Sequence, residues 1–372
     1  MSPRRHPAVV ALLLATSAVV LHLSPTFAQS PAAPPQPSSP QRANPTEVTL
    51  LATDSFALSD DILASFQAQH GVPIQVLRVG DAGAMVNQAI LSKEHPFADV
   101  LYGVDNTFLS RALDAGIFEP YAVTDLEALP PALRLDPQDR VTPVDYGDVC
   151  LVLDLKAFGS GGLPTPTSLR DLTLPVYKGK LVVENPATSS PGLAFLLASI
   201  EQFGETGSYT WHDYWRDLRA NDVAVTAGWD DAYYSTFSGG SDSSGAAGDR
   251  PIVVSYATDP AAAVYAASPA PDVSPLGIVP SSCFRQVEFA GVLAGTDDAA
   301  LARALLDFLV SQPVQEDIPP NMYVLPALPA ARLPDVFARF NEAPAQPLTM
   351  QPALIGANRE RWLAEWTDLV LH

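Results

Sequence analysis

From Glu47 onward, short β-branched apolar runs alternate with longer stretches whose apolar positions recur at helical spacing. EVTLLA, starting at Glu47, predicts a first strand, and Ser59 to about Gln69 predicts a helix capped by Ser59 or Asp60. PIQVLRV and ADVLYG predict two more strands with the helix AMVNQAILSK between them. NTFLSRALDAG then predicts a third helix stopped at Gly116. DYGDVCLVLDL and KLVVE continue the series as strands, and the α/β pattern runs to roughly Pro280. RQVEFAGVLAG predicts a further strand, followed by the helix DDAALARALLDFLVSQ. ANRERWLAEWTDLVLH closes the chain as an amphipathic helix with Leu363, Trp366 and Leu369 turned to a core. Strands alternating with helices of this length build βαβ units and a mostly parallel sheet. No period of about 20 to 50 residues repeats, which excludes solenoids and propellers.

One seam in this pattern is chemically unusual. ENPATSSPGL, residues 184–193, joins KLVV to the helical run AFLLASI. The spacing predicts Ser190 as N-cap and Pro191 as the first helical residue, where a missing N–H costs nothing. Free backbone N–H groups at such a start suit an anion or a polar ligand atom; an ordinary helix start is the plain alternative.

Before Glu47 the pattern is different. Arg4 and Arg5 precede an apolar run from Ala8 to about Leu23, and Thr26-Phe27-Ala28 offers small residues for cleavage. Residues 1–28 are expected to be a secretory signal cut after Ala28, with an uncleaved anchor as the alternative. No cysteine follows the apolar run, so lipoprotein anchoring is not expected. Residues 29–46, rich in Pro, Ser, Ala and Gln, are expected to be a disordered linker. The remaining 47–372 exceeds one typical core, so two lobes are expected.

Net charge is −20, and −22 once Arg4 and Arg5 leave. That balance argues against nucleic acid and anionic membranes as partners and favours small cations. The two cysteines, Cys150 and Cys283, are expected to pair in an oxidising compartment, with buried free thiols as the alternative. The chain has no G-x-S-x-G, P-loop, H-E-x-x-H or G-x-G-x-x-G motif. After the signal, His70, His95, His212 and His372 lie too far from one another and from the cysteines for a local zinc site. No metal and no resident cofactor are expected. A binding protein is the economical class, and an enzyme is not expected.

Eight stretches then fall in order: TDSF (53–56), ADVLYGVDN (98–106), DYGDVCLVLD (145–154), NPATSSPGL (185–193), VTAGWDDAY (225–233), SYATDP (255–260), QVEFAGVL (286–293) and IPPNMYVLP (318–326). Together they resemble the thiamine-binding subunit of bacterial ABC importers, over essentially the whole chain after residue 46. The resemblance implies an α/β, type II periplasmic-binding-protein fold, with two lobes joined by two crossover strands around a ligand cleft. Lobe 1 would be 47–143 plus 286–372, and lobe 2 would be 144–285. The crossings would fall near 144–146 and 285–288, just beside both cysteines.

The resemblance also implies site residues. The turn at Ser189 and Ser190 would contact the ligand, on the phosphate side for a thiamine phosphate. Asp81 and Ala82 would contact it from lobe 1, Trp229 from GWDDAY, and Tyr256, Ala257, Thr258 and Asp259 from the SYATDP strand end. Asp54 would line the cleft, and Tyr323 would stand where relatives carry a tryptophan. Aromatic faces suit the thiazolium cation and the aminopyrimidine of thiamine, and Asp81 or Asp259 suits its amine or its charge. The chain departs from relatives at Thr53 and Ala262, where they carry aromatics, with Tyr265 three residues on; the cage is expected to be thinner. The loop SGGSDSSGAAGDR also separates Trp229 from Tyr256. The implied partners are a membrane permease and its ATPase, and the receptor would act as a monomer. A ferric-ion receptor using Tyr233-Tyr234, or a secreted thiamine-degrading enzyme, are the alternatives.

Overall fold

The structure, a computed structural model, describes residues 46–240, 245–341, 344 and 346–372. The expected signal, its cleavage after Ala28, the linker through residue 45 and part of the SGGSDSSGAAGDR loop lie outside the described residues. Among the described residues no helix is long and apolar enough to cross a membrane.

The first six elements follow the hydrophobic pattern. Strands β1 (Val48–Ala52), β2 (Ile74–Arg78) and β3 (Val100–Asp105) alternate with helices α1 (Asp60–His70), α2 (Ala82–Leu91) and α3 (Leu109–Ala115). Ser59 occupies the N-cap position of α1, and Gly71 ends the helix in the left-handed conformation, φ 79°. Helix α3 starts three residues later than its apolar pattern suggests. The Asp105 carboxylate accepts the Thr107 and Phe108 N–H groups, both at 3.2 Å, and holds 106–108 as a turn.

Strand β4 (Thr142–Asp154) leads to β5 (Leu181–Glu184), α4 (Ser190–Phe203), α5 (Trp211–Ala220) and β6 (Ala224–Thr226). A π-helical turn, Asp231–Thr236, precedes β7 (Ile252–Tyr256), α6 (Asp259–Ala266) and β8 (Leu276–Val292). The chain finishes with α7 (Ala299–Leu309), α8 (Gln312–Met322), β9 (Leu325–Pro326), α9 (Asp335–Phe340) and α10 (Pro352–Val370). The N-cap of α4 is Ser189, one residue before the expected Ser190, with Pro191 still in the first turn. Helix α10 begins at Pro352 and buries Trp362 and Trp366; Leu363 is buried and Leu369 is half-buried. The Trp366 ring meets Trp215 of α5 edge-on at 5.4 Å, a pairing that amphipathic spacing alone does not specify.

One sheet runs through the molecule in the order β2-β1-β3-β8-β4-β7-β5-β6, with β9 beside β4. The parallel pairs β1–β2, β1–β3, β5–β6 and β5–β7 lie toward the two ends. At the centre, β4 and β8 run antiparallel along most of their length, joining the half that carries β1–β3 to the half that carries β5–β7. β8 starts at Leu276, well before the expected Arg285, because Pro280-Ser281-Ser282 is absorbed as a bulge rather than a turn. The register shifts between Val149 and Leu151, and the Leu151 N–H donates to Ser282 Oγ at 2.8 Å in place of a ladder partner.

Cys150 and Cys283 pair across this irregularity, as expected, with Cα atoms 4.1 Å apart and a sequence separation of 133. Closing a loop of that length is worth about 5 kcal/mol in the chain-entropy model. The variant Cys150→Ser/Cys283→Ser is therefore expected to fold with its stability lowered by up to ~5 kcal/mol, read as a lower midpoint in urea unfolding. An unchanged midpoint would show that the β4–β8 ladder needs no cross-link.

Candidate functional site

Where the two halves of the sheet meet, a narrow inner cavity opens into a larger outer cleft of about 450 Å³. Thr53, Ser55, Asp81 and Trp229 border both, so the two are parts of one site. Five strand-end or helix-start segments supply most of its side chains, with Glu288 from within β8 and residues 322–324 from the end of α8, because in open α/β sheets the chain turns at strand ends and leaves polar groups uncovered.

Asp81 is the N-cap of α2, and its Oδ1 accepts the Ala82 N–H at 2.7 Å. Its Oδ2 reaches the Trp229 N–H at 3.4 Å, so one carboxylate spans from α2 to the segment after β6. Trp229 is held on three sides. Its Nε1–H donates to Ser255 Oγ at 2.8 Å, its face stacks on Tyr233 at 4.8 Å, and its ring meets Tyr256 at 6.4 Å and 61°. Tyr256, at the end of β7, fits because residue 147 opposite is glycine: a Cβ there would lie 2.9 Å from the Tyr256 ring. The Tyr256 hydroxyl meets Gln286 Oε1 at 3.3 Å, and Gln286 Nε2 donates to Glu288 Oε1 at 2.9 Å. Tyr323 caps α8 in the left-handed conformation, φ 59°, and its carbonyl accepts the Thr258 hydroxyl.

Six of the expected residues therefore border the inner cavity: Asp81, Ser190, Trp229, Tyr256, Asp259 and Tyr323. Asp54 borders the outer cleft. Ala82, Ser189, Ala257 and Thr258 are buried and border neither. Of the anticipated departures, Thr53 lines the site and Ala262 is buried in the core. Tyr265 packs against Phe337 at 5.8 Å, away from both cavities. Tyr233 and Tyr234 back Trp229 without lining either cavity. Sequence reasoning missed Glu288, Ser55 and Met322 of the inner cavity, and Thr188, Asp230 and Asp231 of the outer cleft. The one available signal for Glu288 was a lone acid inside the apolar strand QVEFAGVL.

The site is acidic, and among the described residues no Lys, Arg or His borders either part. Burial pushes the Asp259 carboxyl up to about 7 and the Asp105 carboxyl up to about 6. Burial also raises Asp81, Asp145, Glu184 and Glu288. The nearest guanidinium on β8, Arg285, is committed to Asp148 at 2.5 Å. Tyr102 donates to Asp145 Oδ2 at 2.5 Å, and both Glu184 oxygens lack a hydrogen-bond partner of full geometry. Ser190 Oγ, on a residue only 2% exposed, likewise closes no full hydrogen bond although the residue borders the inner cavity. Unpaired buried carboxylates stay protonated or await a cation. With both cysteines in a disulfide, no thiol nucleophile is present. The arrangement offers aromatic faces and carboxyl groups, which suit a flat cationic solute.

Residues 95–342 match the model of a family described as bacterial extracellular solute-binding protein. The thiamine-binding periplasmic protein of Escherichia coli (strain K12) is 28% identical over 338 residues, covering 90% of this chain and 96% of its own length. A solved periplasmic thiamin binding protein superposes with a TM-score of 0.73 at 26% identity, over 87% of this chain and 96% of its own. Iron-bound HitA from Pseudomonas aeruginosa superposes with a TM-score of 0.66 at 18% identity, over 87% and 99%, and so shares the fold. The fold is the α/β, type II periplasmic-binding-protein fold anticipated from the motifs.

The raised carboxyls make stability depend on pH in a stated direction. Asp105 and Asp259 bind a proton more tightly folded than unfolded, where an Asp carboxyl titrates near 3.9. Their contribution is full below about pH 4 and is lost as pH rises through about 6 and about 7. The protein is expected to melt several degrees higher at pH 5 than at pH 8, a difference on the order of 4 kcal/mol at most. A melting temperature that rises steadily from pH 5 to pH 8 would contradict the proton uptake assigned to this site.

Proposed function

The chain belongs to the bacterial extracellular solute-binding protein family, and we propose that its solute is thiamine or a thiamine phosphate, captured by hinge closure and handed to an ABC-importer permease. The observation that carries this reading is the Trp229–Tyr256 aromatic corner set against Asp81, Asp259 and Glu288 with no basic residue beside them. A thiazolium cation meets both needs at once. Each ring face offers it about 0.5 to 2 kcal/mol, and the carboxylates regain a counter-charge.

Residues 47–143 with 286–372 form one lobe of this receptor and 144–285 the other. The hinge lies where β4 and β8 cross between them. Closing on the ligand shifts the population toward the form that the permease recognises, and a cytoplasmic ATPase drives release and passage. The receptor is monomeric and extracytoplasmic, released after Ala28, with residues 29–46 as its leading tether. No bond is made or broken in this cycle.

No observation favours iron. Tyr233 lies face to face with Trp229, its phenol is pushed well up by burial, and the acidic neighbours Asp259 and Tyr234 add to the push. Neither Tyr233 nor Tyr234 borders either cavity, so the tyrosine pair does not face a bound ion there. Degradation of thiamine through a cysteine nucleophile is equally disfavoured by the disulfide.

Calorimetric titration with thiamine tests the reading. The wild-type protein is expected to bind with micromolar or tighter affinity, and Trp229→Ala to bind about tenfold or more weakly while keeping its circular dichroism spectrum. Equal affinity in the variant would remove Trp229 from the site. Absence of any heat from the wild type would remove thiamine.

A further inference from the structure

We propose that Asp145 and Glu288 share one proton across the pair of strands that joins the two halves of the sheet. That proton holds a relay of hydrogen bonds from Tyr102 on β3 to Tyr256 in the cleft. Its role as a hinge brace rests on the two-lobe receptor reading above; the proton itself does not depend on which solute the cleft takes.

The backbone lines the acids up. Glu288 of β8 stands directly opposite Asp105 of β3 on one side and Asp145 of β4 on the other, so three carboxyls occupy one row across three adjacent strands. Like charges directly opposite one another in a sheet are destabilising, and more so away from water. Asp105 is provided for: it accepts the Thr107 hydroxyl at 2.8 Å as well as the Thr107 and Phe108 N–H groups. Asp145 and Glu288 have less. The Tyr102 hydroxyl donates to Asp145 Oδ2 at 2.5 Å, and Gln286 Nε2 donates to Glu288 Oε1 at 2.9 Å. Asp145 Oδ1 is buried with no N–H or hydroxyl donor, and the Glu288 carboxyl lies within hydrogen-bonding reach of Asp145. Two carboxylates have no hydrogen to share. One proton between them supplies the missing donor and leaves a single negative charge on the pair.

Among the described residues, no cation on the surrounding elements takes that place. The pair meets Tyr102 and Asp105 from β3, Tyr256 from β7 and Asp81 from α2. Strand β9 brings Pro326 opposite Asp145. Arg285, beside Gln286 in β8, is bound to Asp148, and Arg359 of α10, which feels the Asp105 charge, is bound to Glu360 at 2.7 Å. Burial above all, with neighbouring carboxylates adding to it, raises both carboxyls of the pair.

Gln286 carries the state of the pair outward. Its Nε2 is committed to Glu288, so its Oε1 is left to accept the Tyr256 hydroxyl at 3.3 Å, and Tyr256 in turn meets the Trp229 ring. Gln286 itself is 1% exposed and borders neither cavity, which makes it a positioning residue for the aromatic corner. Loss of the shared proton sets two carboxylates face to face and loosens β4 from β8 at the crossing.

The test compares the unliganded mature protein with Asp145→Asn and with Glu288→Gln. Either amide brings an N–H to the partner carboxylate, and so reproduces the bonding of the shared proton at every pH. Potentiometric titration of the folded proteins from pH 10 to pH 6 is expected to show about one proton fewer taken up by each variant. Melting temperature reads the sign. A pair raised in the folded state adds stability that is lost as pH climbs through about 7 and above. The wild type is therefore expected to lose several degrees between pH 6 and pH 9, and each variant to match it at pH 6 and lose less. Equal proton counts in all three proteins would overturn the shared proton, and equal slopes would overturn its part in holding the crossing. Failure of both variants to fold would also overturn it, because an N–H in the proton's place must fit on at least one side. No solute is present, so a failed thiamine reading would leave each of these outcomes as it stands.

Discussion

Carboxyl groups buried without basic partners are the constraint on which the rest of this molecule turns. Asp145 and Asp259 are 0% and 2% exposed, Glu288 is half-buried beside them, and Glu184 has neither oxygen in a full hydrogen bond. Folding this much acid into a low-dielectric interior is unfavourable unless the groups hold protons or meet a cation. Asp259 and Glu288 border the inner cavity, so a cation that relieves these two enters from the cleft. Stability and ligand choice are thereby linked through the same side chains.

The backbone explains why the groups meet there. β4 and β8 are the long strands, and each passes from one half of the sheet to the other, bringing Asp145 and Glu288 into register as paired neighbours. The Cys150–Cys283 bridge lies farther along the same pair, so the crossing is cross-linked. Three small contacts then close the cleft from the sides. The Gly83 N–H donates to the Thr188 carbonyl at 3.0 Å, Asp81 meets the Trp229 N–H, and the Thr258 hydroxyl meets the Tyr323 carbonyl. Gly83 has to be glycine for this, since a Cβ would come within 2.7 Å of the Ala187 carbonyl oxygen. Each of these is a single hydrogen bond worth roughly 1 kcal/mol.

Much of this was legible in the chain, for physical reasons that differ by residue. Period alone placed β1 to α3, because amphipathic helices and buried strands carry opposite periodicities. It could not start β8 at Leu276, since Pro280-Ser281-Ser282 reads as a turn unless a bulge absorbs it. Trp229, Tyr256 and Asp259 were found through the order of the motifs. Their neighbours Ala257 and Thr258, named with them, are buried and border neither cavity. Glu288 stayed hidden because its significance depends on Asp145, more than a hundred residues earlier. No local pattern reports a charge that is unusual only for what faces it.

On the thiamine reading, the cleft exchanges protons for a cation. Thiamine binding should be measured by calorimetry at pH 7 in two buffers of different ionisation enthalpy, which yields the number of protons released. The account predicts release of a substantial fraction of a proton, because a bound cation lowers carboxyls that burial has raised to about 7. Binding with no proton release, or no binding at all, would contradict it.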